Sequence, residues 1–164
     1  MRDVVAGLIA IGLLVTAASL GTALQVYRRR RRRARDAERA LGRAIVAELP
    51  MAEDLVLFSE GETRFHYGER AIEKELIVAV RVLINGAPIA ATVSRRLAGE
   101  TPLQPTSFED RPEGIARDRW DVAIETRQGT VLVECGAIRE RVSQELARAI
   151  FDAVKRDIER RDAR

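Results

Sequence analysis

The chain has 164 residues, with 28 Lys/Arg, 25 Asp/Glu, one His and one Cys. A single cysteine excludes an internal disulfide and fits a reducing compartment, while one histidine and 4% aromatics leave His-rich metal sites and base-stacking platforms little to draw on. The net charge of +3 is uneven: residues 1–35 hold 8 of the basic and 1 of the acidic residues, so the remainder has 20 and 24 and carries −4, the opposite sign to a domain that tracks phosphates.

From Val4 to Tyr27 there are 24 residues without a formal charge. A bilayer core of ~30 Å needs ~20 apolar residues of helix to cross it. Thr16, Ser19 and Thr22 can bond back to their own helix, Gln25 falls near the interface, and Tyr27 stands where an interfacial aromatic belongs. Arg28, Arg29, Arg30, Arg31, Arg32, Arg33 and Arg35 follow at once, whereas only Arg2, Asp3 and the amino terminus precede the run. The positive-inside rule then puts the amino terminus outside and the rest in the cytoplasm. A cleaved signal peptide would carry its positive charge on the other side of the apolar run. The same arginines are candidates for contact with anionic lipid headgroups. Ala17/Gly21 and Ala18/Thr22 have the small-xxx-small spacing of packed membrane helices.

Residues 34–49 read as a helix, with Leu41, Ala44, Ile45 and Leu49 on one side and Pro50 as the stop. It either continues the membrane helix as a stalk or begins after a break near Arg33. Residues 53–58 and 63–67 read as a hairpin around Ser59–Glu62, with His66 an ordinary strand residue. Residues 70–84 fit either period, and their β-branched content favours a strand over 75–84. Asn85-Gly86 suits a type I′ turn or a helix cap. Residues 88–98 read as a helix opened by Pro88, and 99–118, with three prolines, as a long surface loop.

Residues 119–126 and 130–135 are the clearest strands, a hairpin turning at Arg127-Gln128-Gly129. Trp120, Val122 and Ile124 share a face, with Leu132 expected to pack from the partner strand. Residues 138–160 form the clearest helix, with Ile138, Val142, Leu146, Ile150, Val154 and Ile158 at every fourth position and Asp152, Lys155, Arg156 and Glu159 on the wet side. The expected fold is α+β: a transmembrane anchor (1–27), a polybasic segment and stalk helix (28–50), and a small cytoplasmic domain (51–164) of antiparallel hairpins packed against a long C-terminal helix.

Asp121 on one strand, Glu134-Cys135-Gly136 on the next and a long helix after them form the only pattern with a chemical reading. The layout resembles the restriction-endonuclease-like superfamily, in particular membrane-anchored proteins with Mrr-type domains. That resemblance implies Asp121 and Glu134 as ligands of a divalent metal, Mg²⁺, that activates water, with Glu48 as the acid of the preceding helix. Gly136 stands where the family has a charge-stabilising Lys, so Arg139 or Arg141 would supply the cation from the helix. Cys135, at the end of an apolar strand, reads as a structural thiol.

Two functions follow from these patterns. One is a non-enzymatic scaffold that binds another protein at the membrane, or a small subunit of a larger membrane complex. The other is a metal-dependent nuclease-like enzyme. They differ at the site: carboxylates pointing apart or into ion pairs favour the scaffold, and bound Mg²⁺ or Mn²⁺ at Asp121 and Glu134 with a cation entering the space at Gly136 favours the enzyme. Membrane lipid and a protein are the expected partners and nucleic acid is not.

Overall fold

The computed structural model describes residues 2–50, 55–97 and 119–164, without the side chains of residues 2–15, 17, 18, 20 and 23. The expected loop 99–118 lies outside the described residues. The chain divides into two compact units, Met1–Ala40 and Leu41–Arg164.

The first unit is one helix, α1 (Arg2–Ala40, 39 residues), with no break at Tyr27 or Arg33. Ser19 Oγ donates to the Thr16 carbonyl and Thr22 Oγ1 to the Ser19 carbonyl, both at 2.8 Å, the self-bonding expected of hydroxyls on a helix. The uncharged stretch Val4–Tyr27 lies within α1, and many of its side chains are outside the described ones. Among the described residues no helix is long and apolar enough to cross a membrane.

The second unit is α+β. Among the described residues eight strands form two antiparallel four-stranded sheets: β1 (Ala44–Pro50), β2 (Leu55–Glu60), β3 (Arg64–Tyr67) and β4 (Arg70–Glu73) in that order, then β6 (Ala87–Val93), β5 (Ile77–Ile84), β7 (Arg119–Thr126) and β8 (Gly129–Ala137) side by side. A 3-10 turn, Lys74–Leu76, links the sheets. The closing helix α2 (Arg141–Asp162) packs against β1, β5, β7 and β8. Inner residues of both sheets and α2 make one core, including Phe58, Phe65, Val80, Val122, Ile124, Val133, Ile150, Val154 and Ile158. Phe58 and Phe65 stack with centroids 5.7 Å apart, an arrangement worth ~0.5–1.5 kcal/mol beyond burial.

The expected helix over 34–49 is corrected. It ends at Ala40, Gly42 follows at φ +71, and residues 44–50 are strand β1 of the second unit. Leu41, Ile45 and Leu49 are four apart, a spacing that suits an even strand period nearly as well as a helix. The β-branched Ile45 and Val46, and pairing with β2, decide for the strand. The expected helix over 88–98 is also corrected. Asn85 (φ +51) and Gly86 (φ +76) form a two-residue hairpin turn that returns the chain onto β5 as β6. Pro88 is tolerated because β6 is an outer strand. Ile89 has no partner on β5 and forms a bulge.

The hairpins β2–β3 and β7–β8 and the strand character of 77–84 agree with the sequence reading. Leu132 does not. It pairs with Ala123 on the other face of the sheet and is exposed, while Val131, Val133 and Cys135 turn to the core. In α2 the apolar stripe drifts, because a spacing of four advances ~40° per step around a helix of 3.6 residues per turn. Ile150, Val154 and Ile158 are therefore buried and Val142 is 59% exposed.

Candidate functional site

Asp121 and Glu134 face each other across β7 and β8. Just before them the register shifts: Trp120 pairs with Gly136, so Cys135 is the extra residue of a bulge. Side chains two apart on a strand share a face, which sets Arg119 beside Asp121. Arg119 Nε lies 2.9 Å from Asp121 Oδ1 and donates to Oδ2 at 3.1 Å, while Nη1 lies 2.9 Å from Glu134 Oε2. One guanidinium thus spans both carboxylates. Asp121 is 3% exposed and the Glu134 side chain 44%, so the pair is lopsided, one end dry and one end wet.

Burial raises the pKa of Asp121, and the adjacent Glu134 adds to this, against the pull of Arg119. Tyr67, at the end of β3, joins the cluster from the other sheet. Burial raises its pKa, with a backbone hydrogen bond at Glu134 and the Arg119 cation pulling the other way. Cys135 is buried and its thiol is pushed up to about 12, first by burial and then by the Asp121 charge. It is a protonated structural thiol at neutral pH, not a nucleophile.

Glu48 does not sit on a helix. It is a half-buried residue of β1 in the first sheet, opposite Leu57. Among the described residues no three Asp, Glu, His or Cys side chains are grouped so as to hold a metal ion. Asp121 and Glu134 come together as the sequence suggested, but their facing oxygens are directed at Arg119, and Glu48 does not complete a ligand set. This donor arrangement does not fit a resident Mg²⁺. Gly136 cannot be replaced by the missing cation either. Its φ is +112, and a Cβ there would lie 2.5 Å from Ser143 Oγ on α2. Arg141, one of the two stand-ins for that cation, pairs with Glu145 at 3.1 Å on the exposed side of α2.

A second ionic cluster escaped the sequence reading. Lys74, 6% exposed, reaches Glu60 Oε1 at 2.9 Å and Asp157 Oδ1 at 3.6 Å, with Nζ 4.8 Å from the Phe65 ring centroid. Asp157 in turn accepts from Arg161 Nε at 2.9 Å. Two cations and two anions balance inside the protein, joining β2, the inter-sheet turn and α2. Asp157 and Arg161 fall on the buried side of α2, so the helical period placed them, but nothing in the sequence named Lys74 as their partner. Arg119 was legible in principle: Arg-x-Asp on a strand puts both side chains on one face.

A third fixture lies at the end of α2. Asp162 accepts from Ser94 Oγ at 2.7 Å and from the backbone N–H of Arg95 and Arg96 at 2.7 and 3.5 Å, capping the short 3-10 turn Arg95–Leu97. Burial works against its charge, but these hydrogen bonds prevail and lower its pKa. No protein family, no curated protein and no solved structure matches this chain.

Proposed function

We propose that the chain is a single-pass membrane protein, amino terminus outside, whose second unit is a cytoplasmic scaffold that holds another protein at the membrane. The anchor rests on the sequence: 24 uncharged residues from Val4 to Tyr27 closed by seven arginines. The observation that carries the non-catalytic reading is Arg119. It spans the two acids that a hydrolase would need free, and burial keeps the neighbouring thiol protonated. The wet face of α2 adds support against a nucleic-acid partner. Arg141, Arg148 and Lys155 are matched by Glu145, Asp152 and Glu159 one turn on, rather than left as a basic stripe.

The test is a quantitative pull-down in mild detergent with the full chain and with a chain beginning at Ala34. The same protein recovered by both assigns the partner to the second unit. A partner held only by the full chain assigns the interaction to the span and makes the protein a small subunit of a membrane complex. Cleavage of DNA by the full chain with Mg²⁺ or Mn²⁺, lost in Asp121→Ala, would overturn the scaffold in favour of the nuclease-like reading.

A further inference from the structure

We infer that Arg28–Ala40 is a rigid post: its arginines ring the helix at the level of anionic phospholipid headgroups, and its remaining turns carry the helix out of the headgroup layer as far as Ala40. The inference rests on the membrane-anchored reading above and adds to it how the chain leaves the bilayer.

The first observation is continuity. α1 runs unbroken from Arg2 to Ala40, through Tyr27 and the whole arginine run. At ~1.5 Å per residue, Ala40 lies ~20 Å along the axis from Tyr27. The second is angular. Successive helical residues are ~100° apart, so Arg28–Arg33 and Arg35 point to every side, and Arg28–Arg33 are all exposed. Whichever way the helix tilts, several arginines meet the headgroup layer, where an anionic leaflet attracts each of them.

The third is the cost of that continuity. Arg28/Arg32 and Arg29/Arg33 are like charges four apart, and each such pair disfavours helix. A surrounding layer of anionic headgroups relieves the repulsion that water leaves in place. The fourth is what the segment lacks. A helix that lies in the membrane plane buries a face of Leu, Phe or Trp. Between Arg28 and Ala40 the only apolar residues are Ala34, Ala37 and Ala40. With so little to bury, the segment has no reason to lie down.

The test uses the full chain in phosphatidylcholine vesicles with and without phosphatidylglycerol. Single labels are placed by Thr16→Cys, Arg28→Cys, Arg32→Cys, Asp36→Cys and Ala40→Cys, with the parent chain, whose Cys135 is buried, as background. Lipid-borne quenchers at acyl-chain and headgroup depth read position, and spin-label mobility reads helix order. The expected result is acyl-chain quenching at 16, headgroup quenching at 28 and 32, progressive loss at 36, and none at 40. Mobility at 32 should fall when phosphatidylglycerol is present. Headgroup quenching at 36 and 40 as strong as at 28 would overturn the post and leave the anchor standing. Equal mobility at 32 in the two lipids would overturn the role of anionic headgroups. Absence of acyl-chain quenching at 16 would overturn the anchored reading itself.

Discussion

Replacing Gly136 by alanine tests the joint between β8 and α2 on which the site geometry depends. Gly136 has φ +112, a conformation that L side chains rarely adopt, and its Cβ would stand 2.5 Å from Ser143 Oγ and 3.4 Å from Ser143 Cβ. Backbone strain of this kind costs ~1–3 kcal/mol. Overpacking a tight contact costs ~1–3 kcal/mol more, part of which is avoided if Ser143 rotates and gives up its hydrogen bond to Glu140 at 3.3 Å. Gly136→Ala should therefore lower stability by ~2–5 kcal/mol, a shift of ~1–3 M in urea midpoint for a slope near 1.5 kcal/mol/M. Trp120 is the only tryptophan, is buried, and pairs in register with Gly136. Its fluorescence in a urea titration of the full chain in mild detergent reports the transition. In a Ser143→Ala background the close oxygen is gone, and the same glycine substitution should cost only the ~1–3 kcal/mol of strain. A change below ~0.5 kcal/mol in the parent background, the usual size of a neutral surface substitution, would refute the argument. Gly136→Lys, which restores the residue that the nuclease resemblance calls for, should be at least as damaging.

Asp157→Ala leaves Arg161 buried without its carboxylate and should cost ~3–5 kcal/mol in the same urea assay, whereas Arg148→Ala, an exposed pair with Asp152, should stay within ~0.5 kcal/mol. Cys135 should resist iodoacetamide at pH 8 in the folded chain and react fully in denaturant, which mass spectrometry reads directly; fast labelling of the native protein would contradict its burial and its raised pKa. Asp162 and Asp121 should show opposite pH signatures. The pKa of Asp162 is lowered on folding, so its contribution is complete above about pH 4, the unfolded value, and disappears as pH falls through the native one. Asp162→Asn should therefore remove an acid-side loss of stability. The pKa of Asp121 is raised, so stability declines as pH rises from about 4 through the native value, and Asp121→Asn should flatten that decline.

Strong periodicity and turn chemistry made the second half of the chain legible. The β7–β8 hairpin and α2 follow from alternating β-branched residues and a long apolar stripe. The two strands read as helix share one cause. Segments 44–50 and 87–93 are short and alanine-rich, and their apolar spacing suits both periods, so long-range pairing with β2 and β5 decided what local pattern left open. Asn85-Gly86 carried the information for β6, because two positive φ values in a row belong to a hairpin and not to a helix cap. At the site, Asp121 and Glu134 were found by strand pairing, and the role of Arg119 follows from the same alternation. The Lys74 cluster could not be read at all. Its members are separated by up to 101 positions in sequence and meet only because the inter-sheet turn folds under α2.

The proline and the extra residue in β6 have a consequence beyond local shape. Among the described residues β6 is an outermost strand, which presents unpaired backbone groups, and Ile89–Val93 carries no charge to repel a similar strand. Chains anchored in one plane, as proposed, collide far more often than chains dispersed in three dimensions. Pro88 withholds a donor and the bulge at Ile89 twists the rim, so neighbouring copies find no straight template on which to polymerise. On the membrane-anchored reading proposed above, these two features would keep crowding on the bilayer from turning into fibre growth.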